Sequence, residues 1–238
     1  MMHKDGRTAR KLRKLAWRFH QPEWADNRGV LLPVRHPLVS RGIAREIYLG
    51  DYEAKEIDII ENRLAADDTV FEVGGGLGFL SAYCAQRVGS QKVVAYEANP
   101  ELIPVIRATH AKNAVAPTVI NALLARGNGS REFRLEQDFW ASSAHRRGGR
   151  TITVPQLDLN TELARVRPSF LIVDIEGGEA ELFSIADLSS VRKICVETHA
   201  DVLGDKVLSE MFANLLVQGF VFDFSLVRKN VFYFYRDR

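Results

Sequence analysis

The chain has 238 residues, of which 46% are hydrophobic and 26% are charged, enough to bury a substantial core as one large domain or one domain with an appendage. Its 32 basic and 30 acidic side chains leave a formal charge of +2, so the overall balance gives no reason to expect a nucleic-acid partner. No N-terminal apolar stretch resembles a signal peptide, and no run reaches the roughly 18 apolar residues of a membrane span. A cytoplasmic protein without a transmembrane segment is therefore expected.

The N-terminal region is the most basic part of the chain. Residues 1–50 contain eleven Lys or Arg and four Asp or Glu, and the basic ones are concentrated in RTARKLRKLAWRF. Four apolar residues of this segment have the spacing of one helix face: Leu12, Leu15, Ala16 and Phe19. This predicts a helix that packs over the sheet as a lid, with a helix on an anionic partner or membrane surface as the alternative. Residues 21–41, rich in Pro and Arg, are expected to form a long loop.

From residue 69 onward, apolar runs typical of strands alternate with helical patterns. In chain order the segments are TVFEV, a helix ending at Val88, KVVAYEA, a helix from Pro100 to Asn113, and TVINAL. This alternation predicts a βαβαβ half-sheet. REFRLE and RTITVPQLD predict added strands, SFLIVDIEG and KICVETH predict further buried strands, and residues 206–218 have the pattern of an amphipathic helix. The two cysteines, Cys84 and Cys195, lie in these apolar segments and are expected to be buried thiols in a reducing compartment.

The chain ends with two apolar runs, FVFDFSLV and VFYFYR, separated by residues 228–230. Because a parallel return needs a crossover of about a dozen residues or more, these two strands must be antiparallel. The sequence therefore predicts an α/β protein whose mostly parallel sheet ends in an antiparallel hairpin. A basic loop at residues 142–150 interrupts the pattern, and it either closes over a substrate or is an ordinary surface loop. The side chains of interest there are Trp140, Ser142, Ser143 and His145.

A glycine-rich loop, EVGGGLG at residues 72–78, follows the first predicted strand of this region and precedes a helix. Backbone N–H groups at such a place can approach a ligand closely. A P-loop needs Lys followed by Ser or Thr after its last glycine, and a GxGxxG dinucleotide loop needs a third glycine where this chain has Phe79 or Ser81. What the loop contains is acid-x-Gly-x-Gly-x-Gly, formed by Glu72, Gly74, Gly76 and Gly78. This spacing resembles motif I of class I S-adenosylmethionine (SAM)-dependent methyltransferases.

Glu97 ends the next predicted strand, where βαβ geometry places a carboxylate beside the cofactor ribose. NAD would use the same residue, so Glu97 alone does not separate the two cofactors, and a solvated acid at a strand end is a third interpretation. Asn121 and Ala122 end the following strand, where we expect the adenine to lie. Backbone and apolar contacts to the adenine are predicted there.

The segments SFLIVDIEGGEAELF and KICVETH resemble the FkbM family of methyltransferases, in which one strand ends in Asp-x-Glu-Gly and the next ends near Glu-x-His. Over residues 69–199, five features follow the family's order: EVGGGLG, YEANP, NALLARGNGSREF, TVPQLD and DIEGGE. The resemblance implies a class I fold over residues 67–238, a Rossmann-like, mostly parallel seven-stranded sheet with a C-terminal antiparallel hairpin. Residues 1–66 would then be a basic N-terminal helical or lid extension. The implied reaction is methyl transfer from SAM to a hydroxyl of a sugar or natural-product-like small molecule.

Four polar side chains follow the two strands of this resemblance: Asp174, Glu176, Glu197 and His199. Carboxyl ends of parallel strands line the ligand crevice, so we expect these side chains to meet at the acceptor, with Asp174 also near the cofactor. A hydroxyl is a poor nucleophile at neutral pH, and either His199 as a base or a divalent cation with oxygen ligands would help to ionise it. No fixed spacing demands a metal, so no metal ligand is assigned.

Purely structural roles remain open for the same residues. His199 would be satisfied by a backbone carbonyl, and Asp174 and Glu176 would be acids favoured by the dipole of the helix that follows. Two other functions also fit part of the pattern, namely an NAD-dependent oxidoreductase and a non-catalytic module that binds SAM or a nucleotide.

Overall fold

The computed structural model describes residues 13–17, 19–135 and 150–237. Leu12 of the predicted N-terminal helix lies outside the described residues. So do the four side chains singled out near the predicted basic loop, which are Trp140, Ser142, Ser143 and His145.

The described chain alternates strands and helices from residue 24 onward. The strands, in chain order, are Trp24–Asn27 (β1), Val30–Pro33 (β2), Val70–Val73 (β3), Val93–Glu97 (β4), Thr118–Asn121 (β5), Leu123–Ala125 (β6), Gly129–Leu135 (β7), Arg150–Asp158 (β8), Phe170–Val173 (β9), Lys193–Glu197 (β10), Val221–Phe222 (β11) and Val231–Tyr235 (β12). The helices are Arg41–Leu49 (α1), Ala54–Arg63 (α2), Phe79–Val88 (α3), Ile103–Lys112 (α4), Leu159–Val166 (α5), Glu179–Ile185 (α6), Ala200–Leu203 (α7) and Asp205–Val217 (α8).

Within the described residues, the central sheet has seven strands in the order β11-β12-β10-β9-β3-β4-β5. Strands β10, β9, β3, β4 and β5 pair in parallel, whereas β12 is antiparallel to both of its neighbours. This confirms the predicted α/β architecture, a mostly parallel sheet that ends in an antiparallel pair. Strands β3 and β9 are buried on both faces, as expected for strands covered by helices on either side.

The C-terminal hairpin is wider than the sequence predicts. The run FVFDFSLV was expected to be one strand, but β11 covers only Val221–Phe222, and a 3-10 turn follows at Phe224–Leu226. The cause is Asp223, whose carboxylate accepts hydrogen bonds from the Ser225 backbone N–H and from Arg63. These bonds turn the chain away from the sheet while the antiparallel pairing with β12 is kept.

The run TVINAL was also expected to be one strand, and it is two. Its first part is β5 of the central sheet, and after Ala122 the chain enters β6, which pairs in parallel with β8. With β7, which pairs antiparallel to β8, these strands form a second, three-stranded sheet. The predicted strands REFRLE and RTITVPQLD are therefore present, but they build a separate layer rather than extending the central sheet.

The region 21–41, expected to be a loop, contains the β1–β2 hairpin. Arg28 and Gly29 at its tip both have positive φ (54° and 89°), the backbone of a two-residue type I′ turn. Asn113 holds the hairpin against the sheet domain, because its side chain accepts from the Leu31 N–H and donates to the Leu31 carbonyl, both at 2.8 Å. Buried residues of this hairpin, α1 and α2 share one apolar core with β3 and α3.

At the N-terminus, the prediction of which residues form the packed apolar face of the helix is wrong. Leu15 and Phe19 are exposed, with 53% and 84% of their surface accessible, whereas Trp17 is buried and its ring lies 5.2 Å from that of Tyr48. In the sequence Trp17 stands among basic residues, so the spacing of the apolar residues did not identify it as the side chain that packs.

Cys84 and Cys195 are buried free thiols, as expected. In the described part of the chain, no helix has the length and apolarity to cross a membrane.

Candidate active site

A cavity of about 670 Å³ lies at the carboxyl ends of the central strands. Strands β4 and β9 lie on opposite sides of β3. The cavity lies at this switch point, where open α/β sheets bind ligands. Its volume is in the range of small-molecule sites. On the β4–β7 side the wall is mainly apolar, formed by Ala98, Leu102, Ala122, Leu123, Leu124 and Phe133. On the β9–β10 side it is acidic, formed by Glu56, Asp174, Glu176 and Glu197, and a further acid, Glu53, lies beside Gly76 of the glycine loop.

The three predicted glycines of the loop have different tasks. Gly74 has φ +94°, and a Cβ there would lie 1.7 Å from the backbone carbonyl oxygen of Asp174, so only glycine fits. Gly76 lines the cavity with φ +51° and faces Tyr52 of the N-terminal region. Gly78 does not line the cavity; a Cβ there would meet Ile106 of α4 at 2.9 Å. The loop therefore offers Gly74 and Gly76 to a ligand, and Gly78 packs the following helix.

Glu72, the acid of the same motif, is 1% exposed and is not part of the cavity wall. Burial raises the pKa of its carboxyl to about 8, with a hydrogen bond from Ser81 acting in the opposite direction. Ser81 is in turn 3.0 Å from the His110 ring. Glu72 thus interacts with the start of α3. It can affect a ligand only indirectly, by fixing the position of the glycine loop.

Glu97 is the acid that faces the cavity beside the glycine loop. Its Oε2 accepts from the Gly76 N–H at 3.0 Å, and its Oε1 accepts from the Asn99 N–H at 2.7 Å. Burial raises the pKa of the Glu97 carboxyl to about 7, although these backbone hydrogen bonds lower it. The Glu97 carboxylate lines the cavity, where it can accept hydrogen bonds from hydroxyl groups of a ligand.

Of the two residues predicted at the adenine, only Ala122 lines the cavity. The Asn121 side chain donates to the backbone carbonyls of Glu97 and Ala98, at 2.8 and 3.2 Å. It fixes the end of β4 where Glu97 leaves the strand. Its role is therefore to position the neighbouring strand end.

The four side chains predicted at the acceptor are brought together. His199 Nε2 lies 3.4 Å from Glu176 Oε2 and 3.9 Å from Asp174 Oδ1. Asp174 and Glu176 follow β9, and Glu176 has φ +53°, a backbone conformation that turns its carboxylate back over the strand end. Glu197 ends β10, the neighbouring strand, with His199 two residues later.

Glu179 orients the His199 ring, and the sequence did not single it out. Its Oε1 lies 2.6 Å from His199 Nδ1 and also accepts from the Gly177 N–H at 3.0 Å. Glu179 is fully buried. Burial by itself lowers the pKa of His199, but the hydrogen bond and charge of Glu179, together with the charge of Glu176, outweigh it and raise that pKa. The imidazole thus presents Nε2 to the cavity.

Residues of the N-terminal region complete the acidic wall. Lys55 Nζ donates to Glu197 Oε1 at 2.6 Å. Burial raises the pKa of the Glu197 carboxyl, but the Lys55 ion pair, the charge of His199 and the Asn230 hydrogen bond together lower it. Glu56 is 2% exposed, and burial followed by the charge of Glu197 raises its pKa to about 7. Sequence reasoning missed Lys55 and Glu56, although the cluster DYEAKE before an apolar helix face was a usable signal.

A comparison with protein families matches residues 70–222 to the "Methyltransferase FkbM domain". No curated protein matches the sequence of this chain.

Among solved structures, the chain is similar to a methyltransferase from Pyrococcus furiosus, with 12% identity, 98% of each chain covered and a TM-score of 0.49. It is similar to a putative RNA methyltransferase from Pyrococcus horikoshii, with 12% identity, 97% of this chain and 100% of that chain covered, and a TM-score of 0.44. Aeropyrum pernix fibrillarin, solved with bound SAM, has 10% identity, 76% and 73% coverage and a TM-score of 0.43.

Proposed function

The chain belongs to the FkbM methyltransferase family, and on that premise we propose that it transfers the methyl group of SAM to a hydroxyl of a small sugar-like or natural-product-like acceptor. The observation that carries this is the position of Glu97 and Gly76 on one side of a single cavity and of Asp174 and His199 on the other. A cofactor and an acceptor would meet between them.

In this proposal SAM lies along the glycine loop. Its ribose hydroxyls would donate to Glu97, whose carboxylate is already fixed by two backbone N–H groups. The adenine would occupy the apolar wall near Ala122 and Phe133. The cationic sulfonium would then face the acidic wall, where carboxylates such as Asp174 favour a positive charge electrostatically.

The transfer itself is an in-line displacement. A lone pair of the acceptor oxygen forms the new O–CH₃ bond, the S–CH₃ bond breaks with its electron pair remaining on sulfur, and the hydroxyl proton leaves. Holding the two reactants in line within a closed cavity supplies much of the rate by itself. Residues 1–66, predicted as an extension, would supply Tyr52 beside Gly76 on the cofactor side and Lys55 beside Glu197 on the acceptor side.

Two chemistries for the acceptor proton fit the four side chains at the acceptor. The neutral His199 imidazole can take the proton at Nε2, since Glu179 holds the opposite ring nitrogen. Alternatively, Asp174, Glu197 and His199 would hold a divalent cation, which would supply Lewis-acid assistance to the loss of that proton. Both use the same cluster, and both need His199 to be neutral.

A small acceptor also fits the charge of the site better than nucleic acid does. The wall beside the proposed acceptor position carries Glu56 and Glu176. A phosphate backbone is bound by exposed Lys and Arg. Arg131, which lines the opposite wall, is already paired with Glu181 at 2.7 Å.

Ligand titration tests the cofactor assignment. We expect SAM and S-adenosylhomocysteine to bind the full chain in isothermal titration calorimetry and NAD to give no heat of binding, because the loop lacks the third glycine of a dinucleotide site. Tighter binding of NAD than of SAM would contradict the methyltransferase proposal and favour an NAD-dependent oxidoreductase. SAM binding without S-adenosylhomocysteine release, across a panel of hydroxylated small molecules, would favour a binding module.

The affinity for SAM should depend on pH through Glu97. Its raised pKa of about 7 means that the carboxylate, the form that accepts two ribose hydroxyls, is fully present at high pH and is lost as the pH falls through 7. Protonation alone should weaken SAM binding about tenfold from pH 8 to pH 6. Calorimetry at both pH values checks this, and Glu97→Gln should bind SAM weakly with no such dependence. An unchanged dissociation constant in Glu97→Gln would remove Glu97 from the site.

A further inference from the structure

The side chains around His199 have the spacing of a metal site. One donor atom from each of Asp174, Glu197 and His199 can be chosen so that all three lie within 4.8 Å of one another. Because oxygen donors bind Mg²⁺ or Ca²⁺ at about 2.0–2.6 Å, two donors of one ion lie at most about 5 Å apart. The three donors therefore reach a common ion with small side-chain movements.

The orientation of His199 matches that of a metal-bound histidine. Such a ring almost always gives its other nitrogen to a carboxylate or a carbonyl, which fixes the tautomer and makes the ligand nitrogen more basic. Here Nδ1 is 2.6 Å from the fully buried Glu179, and Nε2 faces Asp174 and Glu176.

The two carboxylate ligands have oxygens to spare. Glu197 Oε1 accepts from Lys55 and from Asn230, at 2.6 and 2.8 Å, which leaves Oε2 for a ligand. Asp174 Oδ1 is buried and makes no hydrogen bond within the described part of the chain. A buried carboxylate oxygen without a partner is costly, and a bound cation would offset that cost.

Glu56 gives independent support for a missing positive charge. It is 2% exposed, it lines the same cavity, and its Oε2 has no hydrogen-bond partner among the described residues. Its charge and that of Glu197 both act on Asp174. Lys55 offsets one negative charge of this group by pairing with Glu197, and Asp174 and Glu176 line the same cavity.

We infer that Asp174, Glu197 and His199 bind one divalent cation on the acceptor side of the cavity. Two carboxylates with one imidazole suit Mn²⁺ or Mg²⁺. This rests on the proposed function for its consequence, which is that the cation binds the acceptor oxygen and lowers the pKa of its hydroxyl. Glu179 is then a positioning residue for the ligand His199, and Glu56 adds negative charge beside the ion.

The test uses Mn²⁺ alone as the probe, with the EDTA-treated and dialysed full chain and neither SAM nor acceptor present. Calorimetry and the loss of the free Mn²⁺ electron paramagnetic resonance signal should both report one site, from which excess Mg²⁺ displaces Mn²⁺. Asp174→Asn and His199→Ala should weaken Mn²⁺ at least about tenfold, and Glu179→Gln about 10–100-fold. Glu181→Gln removes a cavity carboxylate that is paired with Arg131, so it should leave Mn²⁺ affinity unchanged.

Thermal unfolding separates lost ligation from lost folding. Mn²⁺ should raise the melting temperature of the wild type and of Glu181→Gln but not that of Asp174→Asn. No saturable Mn²⁺ binding by the wild type, or equal affinity in Asp174→Asn and Glu181→Gln, would overturn the cation site. SAM binding that persists in that case would leave the methyltransferase intact, whereas Mn²⁺ binding without SAM binding would overturn the proposed function and not the cation site.

Discussion

Gly74→Ala is expected to unfold much of the protein's cofactor site and to abolish SAM binding. Its Cβ would lie 1.7 Å from the Asp174 carbonyl oxygen, a backbone atom that can move only if the ends of β3 and β9 separate. Left-handed backbone strain of about 1–2 kcal/mol adds to an overpacking cost of about 1–3 kcal/mol, so the free energy of unfolding should fall by about 2–5 kcal/mol. Urea unfolding and SAM calorimetry measure the two effects.

Gly89→Ala is the matched control for this change. Gly89 has φ +91°, close to the +94° of Gly74, but a Cβ there has no neighbour within 4 Å. It should therefore lose only the backbone component, about 1–2 kcal/mol, and bind SAM normally. If Gly74→Ala is no worse than Gly89→Ala, the close approach of the glycine loop to Asp174 does not exist in solution.

The sequence predicts the sheet well because its signals are local. Buried parallel strands give continuous apolar runs such as FLIV at residues 170–173, and glycine-rich or acidic segments mark their carboxyl ends. The same continuity hides which face a side chain takes. Glu72 was therefore assigned to the cofactor, yet it lies in a strand buried on both faces and its carboxylate is outside the cavity wall.

Elements that depend on tertiary contacts were predicted less well. The β1–β2 hairpin turns at Arg28 and Gly29, where the first residue is not one of the usual Asn or Asp signals of a type I′ turn. The acids Glu53 and Glu56 of the cavity wall likewise escaped prediction, and Glu56 is separated by 141 positions from Glu197, with which it interacts. The burial of Glu56 follows from how α2 packs against β10, and although the DYEAKE cluster marks the start of that helix, it does not show which of its acids is buried.

The largest effect on turnover is expected from His199→Ala. Methyl transfer should slow by roughly 10²–10⁴-fold while SAM affinity stays nearly unchanged, because in the proposed arrangement the imidazole lies on the acceptor side and not beside Glu97. The measurement is S-adenosylhomocysteine release with an acceptor identified from a panel of hydroxylated small molecules. His20→Ala, which removes an exposed histidine outside the cavity wall, should keep wild-type turnover.

The pH dependence of turnover is a second measurement that tests the His199→Ala variant. Since Glu179 and Glu176 raise the pKa of His199, the neutral imidazole prevails only above that raised value, and activity should increase with pH through it. In EDTA this acid limb should lie above the ordinary histidine value, and it should disappear from the residual rate of His199→Ala. A cation bound at Nε2 would compete with the proton and move the limb to lower pH.

EDTA then separates the two chemistries. If a cation ionises the acceptor, EDTA should abolish turnover, Mn²⁺ or Mg²⁺ should restore it, and Asp174→Ala should be as damaging as His199→Ala because each removes one ligand. If His199 is the base, turnover should persist in EDTA, and Asp174→Ala should retain much more activity than His199→Ala. Full turnover of both variants in EDTA would contradict either role, and alignment of the acceptor with the sulfonium would then have to account for the whole rate.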